Sequence, residues 1–435
     1  LKKLKEFSLR HSKQLSLLLL SVLSLFNLYY GIIPAWNRIN SDFPNYYVSS
    51  KLLLQGKDLR NIYNDEWFQQ KINEYGITEP GKFSPFPPPT ALIMIPLSSL
   101  SPFTAKRVYL IINLIVLFFA ALLVKKISGF NLINSFNIIL LSGAALINNF
   151  LFGQFYLILL LLILLGYLNF IRNNESPAGI FWGIASAVKY FPVIYIPILF
   201  FKKKWKALFY FAASVILLNI ITFIFFGSQA YLFFFRNVIF SHLNGELSSQ
   251  SGYAVQFQSW NSFLRNLFIY DPAENPYPLI SSIFLFNFFR IIIFLFFPAA
   301  AFFVLNKLKM EKEFIPASVI ILSLVVFVLS PASATYHLLI MILPVVLLLK
   351  LSAGKNIFLN SVILLLYILT GLPPLLVSKI ASHSSLFLRY SRLWLEAILF
   401  FVSLRFLLGM KREENYLRVN LRSEIPNGAP SVKDL

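Results

Sequence analysis

Long apolar runs, separated by short polar and often basic connectors, recur along the whole chain. A helix needs about 20 apolar residues to cross a bilayer. On that measure the pattern predicts full spans at about 14–34, 103–124, 132–148, 154–171, 207–226, 279–305, 314–330, 337–349, 357–377 and 388–408. One further apolar segment, 177–201, does not fit. Arg172 precedes it, and Lys202, Lys203, Lys204 and Lys206 follow it. Lys and Arg mark cytoplasmic ends, so both of its ends are expected on one side. Lys189 sits in its middle, with Pro192 just behind. The expectation is a broken hairpin with its tip at Lys189-Tyr190-Phe191-Pro192. Non-helical backbone at membrane depth is tolerated only where it lines a cavity or is buried in protein, so the hairpin also predicts a cavity.

The predicted fold is all-α and polytopic: ten full transmembrane helices plus one broken hairpin, forming a single domain over 1–410. Two larger polar regions, 35–100 and 227–278, are expected outside the cytoplasm. The first is read as short surface helices followed, at 90–100, by an apolar stretch too short to cross and therefore interfacial. The N-terminal flank carries Lys2, Lys3, Lys5, Arg10 and Lys13, which places it in the cytoplasm. The polar tail, 411–435, falls on the same side. The first apolar run lacks a small-residue cleavage site and reads as an anchor. The expected location is the inner or plasma membrane. No internal repeat is apparent, which weighs against many transporter folds.

Composition narrows the class. Hydrophobic residues make up 57% of the chain and charged residues 13%, against roughly 25% charged in an average soluble domain. A soluble fold is excluded, and a membrane β-barrel would show short alternating segments instead. The net charge of +20 comes from clusters at span ends. No basic stripe lies on a soluble domain, so nucleic acid is not a partner. Cysteine is absent, which removes disulfides, thiolate metal sites and a cysteine nucleophile. No His/Asp/Glu spacing resembles a metal site, and no Gly-rich phosphate loop is present. Nothing in the sequence demands a metal, and no cofactor is expected.

The candidate chemistry gathers on the outer side. Asp42 follows the first span in Ser41-Asp42-Phe43-Pro44-Asn45-Tyr46-Tyr47. Lys189 is at the hairpin tip, Arg265 in the second polar region, and His337 opens a late span. Ionisable residues in or near a bilayer are costly and usually functional. A carboxylate can deprotonate an acceptor hydroxyl. The cations and the imidazole can hold phosphate charge that grows as a leaving group departs. Blander readings stand beside these: Asp42 as a helix cap, Lys189 as a snorkelling side chain, Arg265 as a headgroup contact, His337 as a satisfied histidine. His242 and His383 face the same side without a supporting context. Asp58, Asp65 and Glu66 read as solvated surface, with Asp58 and Asp65 as the runner-up acids.

The ordered motifs resemble glycosyltransferase family 87, a bacterial group with the GT-C membrane fold. Asp42-Phe43 with Tyr46-Tyr47 is similar to its Asp-Phe-x-x-Tyr-Tyr element. Gly56-x-Asp58-x-x-x-Ile62-Tyr63 resembles its Gly…Tyr element. The stretch 83–89, leading into Ala91-Leu92 and Pro96-Leu97, is similar to Tyr-x-Pro-Pro…Ala-Leu…Pro-Leu. Gly153-Gln154 resembles a Gly-Gln that opens a span. Gly179, Gly183 and Lys189-x-x-Pro192 resemble a Gly…Gly…Lys-x-x-Pro hairpin. Gln258-Ser259 resembles part of Asn-Gln-Ser, and His337 falls where a late histidine belongs. Phe257 and Phe83 depart from the family's Asn and Tyr.

The resemblance covers roughly residues 14 to 350. It implies an inverting transferase that moves a hexose, mannose in the family's α-1,2-mannosyltransferases, from a polyprenyl-phosphate donor to a lipid or glycan hydroxyl. It also implies roles: Asp42 as general base, His337 and Lys189 on the donor phosphate with Arg265 as helper, and Tyr46, Tyr47, Gln154 and Gln258 in substrate binding. The lipid-phosphate sugar is itself a substrate, and membrane lipids surround the protein. The competing classes are a lipid-linked glycan polymerase or ligase, which does not require Asp42 as base, and a lipid-sugar flippase, which needs ionisable groups along a path across the bilayer.

Overall fold

The computed structural model describes residues 2–40, 42–246, 251–354, 357–373 and 385–423, with side chains from 13 to 411. Ser41, His383, the end of the predicted 357–377 span and the tail beyond 423 lie outside the described residues. Among those described, the protein is helical throughout. The one β feature is an isolated bridge between Asp271 and Asn275.

Six helical stretches are long and apolar enough to cross a membrane: Lys13–Asn37, Pro102–Ser128, Trp205–Leu243, Ile283–Leu308, Thr335–Ser352 and Ser391–Lys411. Leu132–Leu140 and Ala144–Phe152 make a seventh if a pair bent by 75° counts as one span. The other predicted crossings are shorter. Tyr156–Ile171 and Phe314–Leu329 have 16 residues each, and Ile357–Thr370 has 14. Among the described residues, helix length and composition give six spans, or seven with the bent pair, and do not confirm ten. Hydropathy registers an apolar run, whereas crossing also depends on where the run bends. The bend at 141–143 shows why. Gly143 has φ 59°, and the next amide, Ala144 N, donates to Gly371 O at 3.1 Å.

Local signals account for many element ends. Ser101 caps Pro102–Ser128 by accepting from Thr104 N at 3.4 Å, and Gly129 ends that helix at φ 84°, as N-caps and C-terminal glycines commonly do. The second polar region begins later than predicted. Gly227 breaks the helix (φ 69°, ψ 175°), but residues 228–243 remain apolar and helical.

The broken hairpin is present. Helix Glu175–Val188 stops at Lys189, which is extended (φ −143°, ψ 125°), and 3-10 turns and a short helix follow over Phe191–Tyr195 and Ile196–Phe201. In a continuous helix the Pro192 ring would clash with the carbonyl of Val188. The two ends of the segment meet: Lys204 Nζ pairs with Glu175 Oε1 at 3.0 Å. The next helix then runs alongside Glu175–Val188. A Cβ on Gly179 would come within 2.2 Å of Ala207 O, and one on Gly183 within 2.6 Å of Phe211 O. Small residues four apart permit this backbone approach between helices.

The first polar region folds inward. Helix Asp42–Leu54 buries Phe43, Tyr46, Tyr47 and Val48 completely and is no surface helix. The predicted interfacial stretch forms 3-10 turns: Pro88–Leu92 is buried from Pro88 to Ala91, and Ile95–Leu97 is partly exposed. Ser50 Oγ donates to Ala91 O at 2.6 Å, and Thr90 Oγ1 donates to Val188 O at 3.0 Å. The second bond satisfies a carbonyl that the end of the helix leaves free. It also ties the first polar region to the residue before Lys189.

Candidate active site

A cavity of about 1580 Å³ opens between the first polar region, the hairpin and the late helices. Asp42, Lys189 and His337, far apart in the chain, all line it.

Asp42 stands in the first turn of Asp42–Leu54. The positive end of the helix dipole favours a carboxylate there. Asn40 fixes the approach: its carbonyl accepts from Phe43 N at 3.2 Å and its Nδ2 donates to Leu151 O at 3.0 Å. Burial pushes the Asp42 carboxyl above its ordinary pKa, while the Gln154 amide and the ammonium groups of Lys189, Lys106 and Lys82 pull it back. Desolvation is the larger effect. It makes Asp42 a stronger base than a solvated aspartate. Burial lowers the Lys82 pKa, and Asp65 and Asp42 hold it up.

Gln154 is fully buried behind Asp42. Its Oε1 accepts from Tyr46 OH at 2.5 Å. Its Nε2 stands beside the Asp42 carboxyl without completing a well-formed hydrogen bond. The turn that presents it is fixed from several sides. Lys106 Nζ donates to Phe150 O at 2.9 Å and Leu151 O at 2.8 Å. Tyr109 OH donates to Gln154 O at 3.1 Å, and Asn149 Nδ2 to Asn113 Oδ1 at 3.0 Å.

Lys189 is held at the break from both sides. Thr90 binds the preceding carbonyl, and Tyr190 OH donates to Pro85 O at 2.7 Å. Its ammonium lies 3.8 Å from the Phe86 ring centroid and 5.3 Å from those of Tyr46 and Tyr156. Such aromatic faces stabilise a cation without neutralising it. His337 packs on Tyr156 at 4.7 Å and on Tyr336 at 5.0 Å between centroids.

The other predicted residues take different places. Tyr46 and Gln154 form a buried support behind Asp42 and are not part of the cavity wall. Tyr47 donates to Leu100 O at 2.7 Å and accepts from Lys51 Nζ at 2.9 Å, which holds the first polar region together. Gln258 binds Arg389 O at 2.8 Å and accepts from Arg392 N at 3.0 Å. Arg265 pairs with Glu246 at 3.1 Å and covers Phe286 at 5.5 Å. Neither Gln258 nor Arg265 reaches the cavity. Asp58 is paired with Arg60 on the exterior, whereas Asp65 and Glu66, read as solvated surface, line the cavity. Among the described residues, no group of three His, Cys, Asp or Glu side chains is placed to hold a metal ion.

Two structural residues were missed. Lys106 is an ionisable group inside an apolar helix, a signal that was available. Arg392, also buried, donates to Thr370 O, Leu372 O and Thr335 Oγ1.

Residues 85–331 match the model of glycosyltransferase family 87, more than half of the chain. The chain belongs to glycosyltransferase family 87. It is a glycosyltransferase built of apolar helices, a multi-pass membrane enzyme. No curated protein matches the chain. The matched segment of the transferase holds Lys189 and Gln154 but neither Asp42 nor His337. What joins those two to the family segment is the shared cavity.

Proposed function

We propose that this glycosyltransferase moves a hexose, mannose, from a polyprenyl-phosphate donor to a hydroxyl of a lipid or glycan acceptor, with inversion, in a GT-C fold whose site faces the extracytoplasmic side. The observation that carries the reading is the composition of the cavity at Asp42. A carboxylate with raised proton affinity shares it with a lysine and a histidine from separate elements. Its remaining wall includes Pro197, Phe201, Ala301, Phe302, Leu305 and Val325, apolar surface suited to a lipid chain.

In the proposed reaction the acceptor oxygen attacks the anomeric carbon as the bond from that carbon to the phosphate oxygen breaks. Asp42 takes the acceptor proton. The bonding electron pair stays on the phosphate, which leaves as a monoester dianion. Lys189 and His337 meet that added charge as it develops, where such contacts are worth most. A single displacement needs no nucleophilic second carboxylate. It turns a β-linked donor into an α-linked product. The placement of Lys204 and Glu175 together supports the hairpin on which the sidedness rests.

The test is transfer by purified enzyme from radiolabelled polyprenyl-phosphate mannose to a membrane lipid extract, with glucose- and arabinose-bearing donors run in parallel. Labelled product in α configuration, formed with the mannose donor above the others, is expected. A wild type that turns over none of these donors contradicts the reading.

A further inference from the structure

His242 is a titratable group in the cavity to which the reaction above gives no task. It is carried by the helical stretch Trp205–Leu243, which is distorted twice on the way: at Gly227 and at a π turn over Phe234–Val238. One extra residue in a turn rotates everything after it by about 100°, and π turns recur at functional sites. Tyr63 and Tyr190 hold this turn by stacking on Phe234, at 5.6 Å and 6.3 Å between centroids. His242 thereby lines the same cavity as Lys189 and His337, within electrostatic reach of both. Its Nδ1 is buried and has no hydrogen-bond partner among the described residues. Buried polar nitrogens are nearly always paired, so this one has capacity for a partner that the described residues do not supply.

We infer that His242 is a third donor to the phosphate of the lipid-linked sugar, beside Lys189 and His337. The inference rests on the polyprenyl-phosphate donor proposed above. The donor phosphodiester carries one negative charge. When the bond to the anomeric carbon breaks, the electron pair stays on a phosphate oxygen and the charge doubles. Three nitrogen-bearing side chains from three elements line the cavity in which that charge would appear. Asp42 is left free to take the acceptor proton.

The test is binding of undecaprenyl phosphate and of undecaprenol to the full chain in nanodiscs, for wild type, His242→Ala and His242→Gln. The wild type is expected to prefer the phosphate. His242→Ala should lose about tenfold of that preference, the scale of one hydrogen bond to a charged group. His242→Gln, which keeps an N–H donor, should recover part of it. A preference unchanged by both substitutions overturns the inference and leaves the donor reading standing. A wild type without any preference for the phosphate overturns both. A misfolded variant reveals itself by losing undecaprenol binding as well, and His242→Gln then decides.

Discussion

Two polar regions drew attention in the sequence, and they do different work. The first, 35–100, sends helix Asp42–Leu54 into the helical body, which brings Asp42 to the cavity, and keeps one side of helix Asp65–Glu74 exposed. The second, after Leu243, acts as a frame. Phe257 O accepts from Ser333 N at 3.0 Å, and Gln258 holds residues 389 and 392. Asn266 Nδ2 donates to Tyr390 OH at 3.0 Å, and Tyr390 OH donates to Ser262 Oγ at 2.9 Å. Arg392 in turn binds Thr335, two residues before His337. One region supplies a carboxylate to the cavity wall, and the other holds in place the segment that supplies a histidine to it. Polar loops in a membrane enzyme are therefore not equivalent, and a charged residue in one is not by that fact a substrate contact.

The comparison breaks most sharply at Asp42. Asp42→Asn should lower kcat/KM by about 10²–10⁴, the usual worth of a positioned base, with monodispersity unchanged. The same claim predicts a pH profile. Asp42 works deprotonated, so activity should fall as pH falls through its pKa. Because burial raises that pKa, the acid limb measured for kcat/KM should lie above the ordinary carboxylate value of about 3.9.

Lys189→Ala comes next, with a loss of about 10²-fold in kcat, since it removes one fixed charge from the departing phosphate. Lys106→Met should act through stability. The Phe150 and Leu151 carbonyls each lose one donor and keep another, Gly153 N and Asn40 Nδ2, so the loss is about 1–3 kcal/mol in total. A lowered Tm with a smaller loss of kcat would separate it from Lys189. In the second region the effects should be smallest on chemistry. Gln258→Ala should lower Tm, and Arg265→Ala should keep kcat within about threefold of wild type, because its partly exposed ion pair with Glu246 is worth little. A collapse of kcat in Arg265→Ala with Tm intact would erase the distinction between the regions.

Asp42 and Lys189 were legible in the sequence because each is a charge in or beside an apolar run. Asp42 follows the first span, and Lys189 interrupts an apolar segment just before a proline that a helix cannot absorb. Lys106 was not legible in the same way. Its place inside an apolar helix marked it as costly, but its burial depends on carbonyls 44 and 45 residues away. Gln258 carried a motif, yet its partner Arg392 lies 134 residues on. The helical class followed from hydropathy. The bend at Gly143 and the burial of Asp42–Leu54 followed from tertiary packing, which a window along the chain does not contain.

The most direct test is a cryo-electron microscopy structure with a non-cleavable phosphonate analogue of polyprenyl-phosphate mannose. The account predicts the phosphonate between Lys189 and His337, with the anomeric carbon facing Asp42. A phosphonate seated on Arg265, with the cavity at Asp42 empty, would contradict it.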